Sequence, residues 1–201
     1  MAKIYFNYSS MNAGKSTVLL QASHNYRERG METFLLTAAL DNRLGIGKIG
    51  SRIGLEAEAE TFAEGDDLFV RIEAAHKLKN LSCVLVDEAQ FLDEKQVWQL
   101  CHVADQLGIP VMCYGLRTDF QGKLFPGSAA LLALADAMRE IRTICWCGRK
   151  ATMVVRLDGD GRVIDEGDQV SIGGEERYVS LCRRHWEGRD IGPSGQLKMF
   201  M

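Results

Sequence analysis

One short stretch limits what this chain can become more than any other. Ser9-Ser10-Met11-Asn12-Ala13-Gly14-Lys15-Ser16 ends like a phosphate-binding loop, although Ser9 stands where the usual pattern has its first Gly. Such a loop has meaning only between a strand and a helix. Residues 3–8, KIYFNY, predict the strand, and KSTVLLQASHNYRERG carries helical apolar spacing up to a stop at Gly30. In that setting backbone N–H groups and a helix N-terminus would cradle a β-phosphate. Gly14 allows close backbone approach, Lys15 offsets phosphate charge, and the Ser16 hydroxyl is placed to ligate Mg²⁺.

A lone Gly-Lys-Ser is a weak signal; a second segment strengthens it. Cys83-Val84-Leu85-Val86-Asp87-Glu88 is an apolar strand ending in two carboxylates, which resembles a Walker B segment. Asp87 is the expected Mg²⁺ partner. Glu88 remains available to take a proton from an attacking hydroxyl or water. These residues alone leave kinase and hydrolase open.

The rest of the chain alternates. TFLLTA (33–38) and IPVMCYGL (109–116) predict strands, and SCVLVDEAQFL (82–92) starts as a third. Residues 93–108 predict a helix with Asp93 as N-cap and Gly108 as stop, and 127–142 predict another helix. The expected fold class is therefore α/β, a P-loop parallel-sheet nucleotide-binding domain over 1–142. Segment 41–65, rich in Gly and Arg, is expected to be a flexible loop, with Arg43 and Arg52 able to close over a nucleotide. From 143 the pattern turns to short strands joined by Gly and Asp turns. A small β-rich subdomain is expected over 143–190, then a flexible tail over 191–201.

With 46% hydrophobic residues and a net charge of −3, the chain suits a compact core without a general basic surface. Nucleic acid is not an expected partner, nor is a membrane, since no apolar run is long enough to span one. The first residues lack the pattern of a signal peptide, so a cytoplasmic location is expected. In a reducing compartment six cysteines need another reading than disulfides. Cys83, Cys101 and Cys113 read as small buried hydrophobes. Cys145, Cys147, Cys182 and His185 read as a closed, structural Zn²⁺ site, with an unusually tight Cys-x-Cys pair. His24, His76 and His102 read as ordinary helix-surface residues.

Taken together, SSMNAGKS, VLVDEAQF, GLRTDFQGKLF, TICWCGRKA and IGGEERYVSLCRRH resemble the thymidine kinases of the cellular, zinc-containing type, in particular their bacterial branch. The resemblance runs from residue 3 to about 187. It implies transfer of the γ-phosphoryl of ATP to the 5′-hydroxyl of thymidine, with Mg²⁺ and a structural Zn²⁺. It implies Glu88 as catalytic base. Ser9, Ser10, Met11, Asn12, Ala13, Gly14, Lys15, Ser16, Asp87, Glu88, Ala89 and Gln90 would bind the nucleotide. Met11, Phe91, Leu116, Phe120, Phe125, Ile172, Gly173 and Tyr178 would bind the nucleoside, under a lasso over about 169–178. The zinc ligands match Cys145, Cys147, Cys182 and His185, the last standing where many members carry a fourth Cys. A homotetramer inhibited by thymidine triphosphate is also implied. The competing expectation is a P-loop ATPase with a zinc-stapled partner-binding domain, which a basic stripe would favour and the net acidic charge does not.

Overall fold

The structure, a computed structural model, describes residues 1–41, 45–169 and 177–193, with Arg177 described by its backbone alone. The chain forms two compact units. The larger comprises 1–8, 14–117 and 124–141; the smaller comprises 9–13, 118–123 and the chain from 142 onward.

In chain order the larger unit carries β1 (Ile4–Ser9), α1 (Lys15–Arg27), β2 (Thr33–Ala38), β3 (Lys48–Gly50), β4 (Glu56–Glu58) and β5 (Glu60–Phe62). There follow α2 (Leu68–Lys79), β6 (Cys83–Val86), a single 3₁₀ turn (Ala89–Phe91), α3 (Glu94–Leu107), β7 (Val111–Leu116), α4 (Pro126–Leu134) and β8 (Ala137–Glu140). The central sheet runs β5-β2-β6-β7-β1-β8, with parallel pairings. The fold is thus α/β with a parallel six-stranded sheet. All four residues of β6 are buried, as a strand between two parallel neighbours demands. Phe6, Leu36, Val84, Val86, Val111 and Leu131 belong to the main core. Asp93 caps α3 in a reciprocal capping box with Gln96, and Gly108 ends it at φ 69°. α1 stops sooner than its apolar spacing predicts: it ends at Arg27, and Gly30, at φ 71°, lies beyond it.

Two expectations fail here. Segment 45–65 is not a flexible loop. It folds as the β3–β4 antiparallel hairpin and then as β5, the edge strand beside β2. Ile49 is buried against Leu19, Leu20 and Leu35, a single anchor too sparse to show as periodicity. Arg52 is exposed on the hairpin turn, and Arg43 lies outside the described residues. The helix predicted over 127–142 ends at Leu134. The following residues become β8, parallel to β1, because Asp136 takes the Ile4 N–H on its carboxylate at 2.8 Å and gives its own N–H to the Ile4 carbonyl at 3.0 Å. Pairing at the sheet edge overrides a helix-like spacing.

The smaller unit holds β9 (Thr143–Ile144), β10 (Lys150–Ala151), β11 (Met153–Leu157), β12 (Val163–Ile164), β13 (Arg177–Leu181) and α5 (Arg183–Glu187). β9 pairs β10, and β11 lies antiparallel between β12 and β13. Its core is small: Ala151, Val155, Leu157 and Leu181, with Cys145 and Cys182. Ile191 packs on this cluster, while 194–201 lie outside the described residues.

Candidate active site and metal centre

In a parallel sheet, ligand-binding groups collect where the strands end. β1, β6 and β7 end together at the same edge, at Ser9, Val86 and Leu116. The turn after β1 needs unusual backbone at two places, and both are filled suitably. Asn12 takes φ 61°, which Asn tolerates, and Gly14 takes φ 84°. Ser9 is buried, absent from the positive-φ residues, and its hydroxyl donates to the Ser10 carbonyl at 2.6 Å. An ordinary L-residue therefore suits that position, and the missing first Gly costs the loop no strain there. No side chain caps α1 and no acidic residue sits in its first turn, so the N–H groups of that turn face no competing anion of their own helix.

Lys15 is buried. The Ser16 hydroxyl donates to the Asp87 carboxylate at 2.8 Å, the pairing expected of a Ser and an Asp that share a divalent cation. Burial, and then the neighbouring Glu88 carboxylate, push Asp87 from 3.8 up to about 7, against the Ser16 hydrogen bond and the Lys15 charge. The Glu88 backbone N–H donates to the other Asp87 oxygen at 3.0 Å.

Glu88 is buried and adopts φ 51°, ψ 37°, a left-handed conformation rare for a residue with a side chain. The Gln90 amide explains how it is held. Its nitrogen donates to the Glu88 carboxylate at 2.5 Å, while its oxygen accepts the Leu116 N–H at 3.0 Å. Gln90 thus ties the end of β6 to the end of β7. Two glycines make room for this. A Cβ on Gly115 would come within 3.0 Å of both the Gln90 N and its side-chain oxygen. A Cβ on Gly127 would lie 2.6 Å from the Ala89 and Leu92 carbonyls. Phe91 and Phe125 meet edge to face at 6.0 Å, and Leu116 and Phe125 are buried. The larger unit therefore brings together Lys15, Ser16, Asp87, Glu88 and Gln90, and separately pairs Phe91 with Phe125. The positioning role of Gln90 left no sequence signal beyond its place two residues after Glu88.

In the smaller unit, the Ser10 hydroxyl donates to Ala151, Asn12 donates to the Tyr178 carbonyl, and the Met11 carbonyl accepts from Ser180. Phe120 is buried, and the Trp186 indole N–H is shared between the Phe120 and Val154 carbonyls. Ile172 and Gly173 lie outside the described residues, as does the lasso between 170 and 176.

The ligand atoms of Cys145, Cys147, Cys182 and His185 lie within 4.8 Å of one another. Cys145 Sγ stands 3.3 Å from His185 Nδ1, and Cys147 Sγ 4.0 Å from Cys182 Sγ. Tetrahedral zinc with sulfur and nitrogen ligands asks for separations of roughly 3.5–3.8 Å, so the donor set fits. The tight Cys-x-Cys pair is accommodated by a turn: Cys145 N–H donates to Arg149, and Gly148, at φ 81°, donates back to the Cys145 carbonyl. Trp146 stacks on the His185 ring at 4.4 Å, and Asp190 lies 4.0 Å from its Nε2, leaving Nδ1 to face the thiols. The His185 backbone N–H holds the Cys182 thiol below its ordinary value against burial, whereas burial pushes Cys145 up. Cys83 is pushed by burial to about 12, and Cys113 is raised further, as inert buried thiols are.

The described residues thus hold a parallel sheet with a phosphate-type loop and paired strand-end carboxylates in one unit, and a three-thiol, one-imidazole cluster in the other. The family model for thymidine kinase matches residues 2–186. The chain is 66% identical over 186 residues to a thymidine kinase of Jannaschia sp. (strain CCS1), covering 92% of this chain and 95% of that one. It is 68% identical over 186 residues to a thymidine kinase of Ruegeria pomeroyi (92% and 94%), and 64% over 186 to one of Agrobacterium fabrum (92% and 96%). The chain belongs to the thymidine kinase family.

Proposed function

We propose that this protein is an ATP-dependent thymidine kinase in which Glu88 is the catalytic base. The observation that carries the assignment of the base is the buried Glu88, clamped by Gln90 beside the Ser16–Asp87 pair. The Glu88 carboxylate takes the proton of the thymidine 5′-hydroxyl. That oxygen forms a bond to the γ-phosphorus, the bond to the β–γ bridging oxygen breaks, and ADP leaves. Ser16 and Asp87 would hold Mg²⁺, which would supply charge neutralisation to the polyphosphate. Lys15 and the N–H groups from Ser9 to Ser16 hold the polyphosphate, with Ala89 and Gln90 completing the nucleotide contacts.

Thymidine is uncharged, so an apolar slot with a few backbone hydrogen bonds suits it. By resemblance alone, Met11, Phe91, Leu116, Phe120, Phe125, Ile172, Gly173 and Tyr178 are assigned to the nucleoside. Cys145, Cys147, Cys182 and His185 would hold a structural Zn²⁺. The same reading extends to a cytoplasmic homotetramer, inhibited by thymidine triphosphate, that acts on the nucleoside and not on nucleic acid. No described helix is long and apolar enough to cross a membrane.

A nucleoside panel with ATP and Mg²⁺, scored for 5′-monophosphate, tests the assignment. Thymidine should be phosphorylated. ATP hydrolysis that proceeds equally well without any nucleoside would favour the ATPase reading instead.

A further inference from the structure

Among the described residues Arg156 is the one buried arginine, and nothing in the reaction above uses it. Its guanidinium lies 4.1 Å from the centre of the Phe120 ring. On its other side the group enters a turn: Nη1 donates to the Asp168 carbonyl at 2.9 Å and Nη2 to the Glu166 carbonyl at 3.1 Å. The residue between those carbonyls is Gly167, at φ 122°, and a Cβ there would stand 2.4 Å from Arg156 Nη2. A side chain at Gly167 would displace the guanidinium from this position, and the backbone there also favours glycine. A second tie runs beside it. The Gln169 amide donates to Asp119, the residue before Phe120, at 2.8 Å, and Asp119 also accepts the Gln121 and Lys123 N–H groups. Arg156 is central in its sheet, with Tyr178 directly opposite on β13; paired residues across an antiparallel ladder share a face.

A buried guanidinium is costly unless its charge is used. Here it faces a ring and two carbonyls, which makes a rigid plate under an aromatic side chain. Resting on the assignment of Phe120 to the nucleoside, we propose that Arg156 is a positioning residue for thymidine. It fixes the Phe120 ring plane and braces it against the 166–168 turn, so the ring meets the base without first being ordered. Such a residue acts on nucleoside affinity and leaves phosphate handling alone.

The test uses the full-length, zinc-loaded enzyme and measures kcat and both KM values for Arg156→Met, Arg156→Lys, Gly167→Ala, Phe120→Ala and the Phe120→Ala/Arg156→Met pair. Arg156→Met should raise the thymidine KM about tenfold while the ATP KM moves less than about twofold. Arg156→Lys should recover part of the loss, since it keeps charge over the ring but cannot bridge both carbonyls. Gly167→Ala, which displaces the guanidinium without deleting it, should raise the thymidine KM in the same direction. If Arg156→Met does not fold, the Lys and Ala variants carry the measurement. The double variant should be no worse than Phe120→Ala alone, because Arg156 acts through that ring. Additive losses, equal rises in both KM values, or an unchanged thymidine KM in Arg156→Lys and Gly167→Ala overturn the proposal. An unchanged thymidine KM in Phe120→Ala instead removes Phe120 from the nucleoside site, and wild-type enzyme inactive on thymidine removes the kinase assignment itself.

Discussion

The two units hold their functional residues by different physics. The larger one has a deep core of aliphatic and aromatic side chains from a six-stranded sheet and its helices. On that base it can keep Asp87 and Glu88 buried side by side and Glu88 in a left-handed conformation, each an unfavourable arrangement that a rigid frame sustains. The smaller unit has a short list of core residues, and two of them, Cys145 and Cys182, are themselves candidate metal ligands. A metal there would supply folding free energy that the apolar residues cannot. One unit spends stability to hold charge; the other needs ligation to hold shape.

The largest effect should come from the charged pair. Asp87→Asn should lower turnover by at least about a thousandfold while stabilising the metal-free protein at pH 8. The sign follows from Asp87 being raised from 3.8 to about 7. Its contribution is fully present below pH 4, where both states are protonated, and is lost as pH rises through about 7. Thermal midpoints of the two proteins should therefore diverge between pH 4 and 7, with the variant higher at the alkaline end. Midpoints that stay parallel would remove the buried-charge account.

The smaller unit should fail differently. Chelation, or Cys182→Ala, should strip amide-exchange protection from β11, β13 and α5 and leave β6 and β7 protected. Elemental analysis should find about one zinc per wild-type chain. Protection lost uniformly across both units would erase the contrast between them. A smaller effect, about tenfold on kcat, is expected of Gln90→Leu, which frees the Glu88 carboxylate without removing it. The smallest is Ser9→Gly. Ser9 already occupies ordinary strand backbone, so turnover should stay within about a factor of three; complete loss would give the Ser9 side chain a role of its own.

Much of the larger unit was legible because its signals are local. A strand, Gly14-Lys15-Ser16 and a helix are contiguous, and Cys83–Val86 is apolar throughout because both faces are covered. Asp93 and Gly108 act within one helical turn of the boundaries they set. What stayed hidden depends on distant partners. Residues 137–140 carry a helix-like spacing, yet β1 and the Asp136–Ile4 pair draw them into the sheet. The β3–β4 hairpin shows a single buried apolar residue, Ile49. Gln90, Gly115 and Gly127 matter through one another, 12 to 37 positions apart, and Arg156 through Phe120 and Gly167. The zinc-type cluster was readable as two pairs of ligands; its geometry, with Trp146 and Asp190 about His185, was not.

Glu88 carries the central chemical step of the proposed reaction. Single-turnover phosphoryl transfer from ATP to thymidine, measured for wild type and Glu88→Gln alongside ATP binding, tests it directly. Glu88→Gln should bind ATP with near-native affinity and transfer the phosphoryl group at least about a hundredfold more slowly. Transfer at the wild-type rate would contradict the assignment of Glu88 as the base.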